Sequence, residues 1–121
     1  MTEDRWEMTR QIVDGCTEPN QDAKADNGKP RLSLVPMQIV YEIATIREYG
    51  NKKYPNGGVN NWKQVDPQRL WDACLRHIIA ASDDFMRVDD ESGYKHISHA
   101  ACNLAFLLQM IKEKDNACIH R

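Results

Sequence analysis

Four histidines occur in the chain, and three of them fall inside helical patterns close to polar partners. His96, His99 and Asn103 stand at i, i+3 and i+7, which gathers them within about 60° on one helix face at roughly 100° per residue. His77 and Asp84 are also seven apart, on a stripe that carries Ala73, Ala80 and Ala81. Small side chains there leave room for a ligand between helices. Arg76 sits beside His77, and Asp72 lies one turn before it. A histidine in such a place can bind a metal, move a proton near neutral pH, or hold a phosphate when charged. The spacing fits all three uses, and it also fits hydrogen-bonded core histidines.

A second group is basic and aromatic. Lys29 and Arg31 precede the first helical pattern; Lys52, Lys53 and Tyr54 follow it; Asn61 and Trp62 close the next loop. Lysine and arginine neutralise phosphates, asparagine bonds a base edge, and an aromatic ring stacks on a base. Together they have the chemistry of a nucleotide site. The run Asp89, Asp90, Glu91, Ser92, Gly93 reads as a solvated turn capping the helix that follows. It could also bring a carboxylate to a divalent cation beside His96.

Three helices must position these groups. The first is expected from Pro36 to Tyr49, with Ile39, Val40, Ile43 and Ile46 on one face and Gly50 as its stop. The second starts at the cap Asp66 and Pro67. Its Leu70, Trp71, Cys74, Ile78, Ile79, Ala81 and Phe85 spread over more than half the circumference, as in a helix buried by several neighbours. The third runs from Tyr94 to Lys112 on Ile97, Ala100, Ala101, Leu104, Leu108 and Ile111, before KEKDNACIHR frays into a tail. No segment alternates like a strand. The expected fold is therefore all-α: a bundle of three core helices, with a short N-terminal helix over residues 1–15, completed by oligomerisation. Residues 1–28 read as an N-terminal arm and linker, 29–112 as the nucleotide-binding domain, and 113–121 as a polar tail.

At 121 residues the chain suffices for one domain but not two. A net charge of −2 argues against a nucleic-acid polymer as partner, while leaving room for a local basic pocket. Cys16, Cys74, Cys102 and Cys118 are scattered without a C-x-x-C pair, as expected of reduced thiols. No run approaches the 18 apolar residues of a membrane span, and MTEDRWEMTR is acidic, so no membrane partner and a cytoplasmic location are expected.

The strings GKPRLSLVP, EYGNKKY, NNW, LRHIIA and DDESGYKHISHAACNLAFLL, in this order, resemble the phage-type dATP/dGTP diphosphohydrolase family, N-terminal domain. The resemblance covers about residues 28–111 and extends, more distantly, to the all-α MazG-like nucleotide pyrophosphohydrolases. It implies a helical homo-oligomer that cuts a deoxypurine triphosphate between its α- and β-phosphates with a divalent metal, Mg²⁺ or Mn²⁺, in the host cytoplasm if phage-encoded. Carried over by residue, the implied site is Lys29, Arg31, Lys53, Tyr54, Asn61, Trp62, Arg76, His77, His96, His99 and Asn103. On this reading Lys29, Arg31, Lys53 and Arg76 grip phosphates, and Trp62 or Tyr54 stacks on the base. His77, His96 and His99 are catalytic, and His96 and His99 with Asp72 or Asp84 hold the metal. MazG-like enzymes place paired carboxylates on their helices, whereas the one pair three apart here is Asp4 and Glu7. Two expectations follow. Either histidines and scattered acids rebuild the metal site, or the chain is an anti-defence sponge that sequesters a host nucleotide signal without cutting it.

Overall fold

The computed structural model describes residues 25–54 and 58–119, and the side chains only as far as Ala117. The helix expected over residues 1–15, Cys16 and the start of the linker lie outside the described residues, as do Pro55, Gly57, His120 and Arg121. The chain divides into two compact units, Met1–Leu32 and Ser33–Arg121. Of the first, the described part contains a turn in which Lys29 N–H donates to the Asp26 carbonyl, with Gly28 at φ 82°.

The second unit is all-α. A 3-10 turn, η1 (Leu32–Leu34), precedes α1 (Gln38–Lys53); η2 (Asn61–Gln64), α2 (Pro67–Ala81) and α3 (His96–Ile119) follow. Among the described residues there is no strand, and one isolated antiparallel bridge joins Val88 to Lys95. Helix α3 packs against both α1 and α2 and touches η2. No described helix is long and apolar enough to cross a membrane.

Local chemistry explains the α2 start. The Asp66 carboxylate accepts the Gln68 N–H at 2.9 Å, and Pro67 fills the first position, where no donor is needed. The other ends depart from expectation. Helix α1 passes through Gly50 and stops at Lys53, where the Tyr54 N–H reaches the Gly50 carbonyl. Lys52 and Lys53 in the last turn complement the helix dipole and offset the helix cost of glycine. Helix α2 stops at Ala81, four residues before Phe85, because Ser82 folds its hydroxyl back onto the Ile79 carbonyl. Helix α3 runs well beyond Lys112. Gln109 bonds Glu113 one turn on, and Lys63 of η2 pairs with the same carboxylate at 3.4 Å, so the supposed tail is helical.

The core is narrow and built from small residues. Ile46, Leu70, Cys74, Ala81, Ala100 and Cys102 are buried, together with Ser98. Cys74 is fully buried and donates its thiol to the Ala100 carbonyl across the α2–α3 contact. Ser98 crosses the other contact, donating to Glu42 of α1 at 2.6 Å. Within the single chain α2 is not covered all round: Ile79 is 68% exposed, Trp71 and Ile78 are also open, and Phe85, past the helix end, is 72% exposed. Leu108 and Ile111 of α3 are exposed as well. Three helices cannot enclose an apolar surface spread over most of a helix circumference, since each neighbour covers only one stripe.

Candidate functional site

The three helices and the turn between α2 and α3 enclose a cleft of about 1030 Å³. Helix α1 contributes Tyr49 and Lys53, α2 contributes Asp72, Arg76 and His77, and α3 contributes His96, His99 and Asn103. The turn adds Asp89 and Glu91, and Tyr54, Asn61 and Trp62 line the cleft too.

The histidines meet where α2 faces the start of α3. His77 Nδ1 and His96 Nδ1 lie 2.8 Å apart, and the His99 ring stacks on His77 with centroids 4.6 Å apart. Tyr49 places its edge against His99. Tyr94 N–H donates to Ser92 Oγ, and the same oxygen stands 2.6 Å from His99 Nε2, a hydrogen bond whose direction follows the histidine tautomer. Burial first, then the neighbouring His99 and His96, push His77 down to about 4. Burial likewise lowers His99. Two of these rings are therefore neutral at neutral pH and carry bare nitrogens.

The turn before α3 is tightly determined. Asp89 N–H donates to the Tyr94 carbonyl at 2.8 Å, and Gly93 N–H returns to the Asp89 carbonyl at 2.7 Å. Gly93 has φ 77°, a left-handed value that a side chain would strain. Asp89 Oδ1 accepts the N–H groups of Glu91 and Ser92, each at 2.9 Å. Burial alone would raise the Asp89 carboxyl, but these two N–H groups and the nearby histidines outweigh it and hold it below the usual range. Glu91 takes Lys53 Nζ at 2.5 Å, and this bond raises the lysine above its ordinary value.

One ligand atom each from His77, Asp89 and His96 fall within 4.8 Å of one another, a group that could hold a metal ion. The donors expected at Asp72, Asp84 and His99 are not gathered there. Asp84 shares a helix face with His77 only if α2 continues, and α2 stops at Ala81; its carboxylate instead accepts the Met86 N–H at 3.0 Å. Asp72 lines the cleft but accepts from Gln68, and His99 turns Nε2 to Ser92. Trp62 is stacked on Phe106 at 4.6 Å, with Lys63 5.7 Å from its ring centre, so packing already engages it. Tyr54 is the more open ring, half exposed, with the Lys53 ammonium 5.3 Å from its centre. Lys29 and Arg31 are exposed and belong to the Met1–Leu32 unit.

Arg47 escaped the sequence reading. Its guanidinium stands 5.2 Å over Phe106 and donates to the Val59 carbonyl, which pins the loop before η2 to α1. A lone arginine on the α1 polar face gave no signal of this. Asp89 was legible as part of the acidic run expected to bring a carboxylate to a cation beside His96, but not as the particular donor.

The sequence model of the family described as dATP/dGTP diphosphohydrolase, N-terminal, matches residues 19–117. A protein of Salmonella phage PMBT28 named dATP/dGTP diphosphohydrolase is 36% identical over 93 residues, which covers 75% of this chain and 30% of that relative. The chain thus corresponds to under a third of the length of the curated relative it matches. No solved structure matches it. With most of its described helical domain inside the family match, the chain belongs to the dATP/dGTP diphosphohydrolase N-terminal domain family.

Proposed function

We propose that the cleft binds a deoxypurine nucleoside triphosphate and that the chain hydrolyses it to the monophosphate and pyrophosphate with a divalent metal. The observation that carries this reading is one cleft, large enough for a nucleotide, bringing Lys53 and Arg76 together with His77, Asp89 and His96. Arg76 offers a planar fork for phosphate oxygens and Lys53 a point charge. Asn61 and Asn103 supply amide donors and acceptors for base or sugar, and Tyr54 supplies a stacking face. His77, Asp89 and His96 would hold the ion, which polarises the α-phosphate and activates water when bound. His99 stands with Nε2 2.6 Å from Ser92 Oγ, where the ring can exchange a proton with the hydroxyl. The name of the phage relative and the family match support the substrate class. Exposed Ile79, Leu108 and Ile111 support the expected homo-oligomer.

A sponge that holds a nucleotide uncut is the second reading. It is favoured by the single carboxylate in the donor group, in place of the paired carboxylates of MazG-like enzymes. The two readings separate in one assay. The purified chain is incubated with each dNTP and Mg²⁺ or Mn²⁺, and products are resolved by ion exchange. Metal-dependent dNMP and pyrophosphate establish hydrolysis. Nucleotide recovered intact and released only on denaturation establishes sequestration, and nucleotide that never binds refutes both.

A further inference from the structure

We infer that His77, Asp89 and His96 form a centre for a first-row transition ion such as Co²⁺ or Mn²⁺, in preference to Mg²⁺. The inference deepens the proposed function and shares its site, but metal binding stands or falls without a nucleotide. Two ring nitrogens facing each other at 2.8 Å are unusual, because only one proton can lie between them. Two nitrogens bound about 2.1 Å from one ion, and at right angles, stand roughly 3 Å apart. The histidine pair is therefore already close to an edge of a coordination shell, and an ion would need to spread it only slightly.

The carboxylate is set for the third position. Both hydrogen bonds to Asp89 fall on Oδ1, and none falls on Oδ2 among the described residues. The 89–94 turn fixes the carboxylate through its own backbone, so little freedom remains to be lost on binding an ion. Three protein donors leave positions open, and all three donors line the cleft that Lys53 and Arg76 share. An ion there could accept phosphate oxygens or water. The class of ion follows from the donors. Magnesium takes oxygen ligands almost exclusively, whereas imidazole suits iron, nickel and zinc, and affinity at such mixed donors rises along the first row from manganese through cobalt.

The test uses the chain stripped of metal, without nucleotide. Co²⁺ is titrated while visible d–d absorption is followed, and Mn²⁺ and Mg²⁺ are compared by calorimetry. The expected result is one Co²⁺ per chain, with Mn²⁺ bound at least about tenfold more tightly than Mg²⁺. Asp89→Asn and His96→Gln should each weaken Co²⁺ by about tenfold or more, and Asp84→Asn should leave it unchanged. Retained helical circular dichroism shows that each variant is folded, and His77→Gln replaces any that is not. No Co²⁺ binding at millimolar concentration, binding indifferent to the Asp89 and His96 substitutions, or Mg²⁺ as tight as Mn²⁺ would overturn the inference. Equilibrium dialysis of dATP in EDTA separates it from the nucleotide reading. Nucleotide bound without any metal site defeats this inference alone, while a metal site without nucleotide supports it and defeats the other.

Discussion

Acid should destabilise the metal-free chain through His77. The ring is held at about 4, against an ordinary value near 6.5, chiefly by burial and then by His99 and His96. A folded value below the unfolded one means that the unfolded chain binds more protons between those limits, so stability falls as pH drops from about 6.5 toward 4. For one such group the linkage relation gives about 2 kcal/mol at pH 5 relative to neutral pH. His77 is only half buried, and solvent screening of its exposed part reduces this to about 1 kcal/mol. His99, lowered for the same reason, acts in the same direction. A domain of this size should then melt about 4–8 °C lower at pH 5 than at pH 7.5 from His77 alone. The assay is thermal unfolding followed by circular dichroism at both pH values in EDTA, on the natural chain and on His77→Gln. The variant should lose about 1 kcal/mol of the pH dependence. A variant whose melting temperature falls with acid as steeply as the natural chain's would refute the reasoning.

Three other outcomes are expected. Ala100→Leu inserts a branched side chain where α2 and α3 meet at buried Cys74, and overpacking should cost about 1–3 kcal/mol in urea unfolding. Gly93→Ala forces a side chain onto a φ of 77° and should cost about 1–2 kcal/mol, and it should also weaken Co²⁺ binding by loosening the turn that holds Asp89. Glu91→Gln removes the ion pair that ties up Lys53, and dATP measured by equilibrium dialysis should bind about two- to fivefold more tightly.

The helices and their chemistry were largely legible in the sequence, because both rest on local rules. Asp66 and Pro67 mark the α2 start wherever the helix packs, since the cap bond spans two residues. The stripe of His96, His99 and Asn103 follows from 3.6 residues per turn, and all three do line the cleft. Helix ends were less legible. Gly50 reads as a stop, yet α1 continues through it; the residues after Ile111 read as a fraying tail, yet the distant Lys63 grips Glu113.

Which residues form one site was a separate matter. The spacing pointed to Asp84 as the acidic partner of His77, but that holds only on an unbroken helix, and Ser82 ends α2 first. The chain then folds back through the 89–94 turn, which delivers Asp89 to His77 and His96. Small residues at the α2–α3 contact bring the two histidines from different helices to 2.8 Å. The sequence by itself determined the helices, the residue types on their faces and the family. Only the tertiary structure decided which carboxylate joins the histidines, because periodicity acts within one helix while the facing of helices is set by packing between residues far apart in the chain.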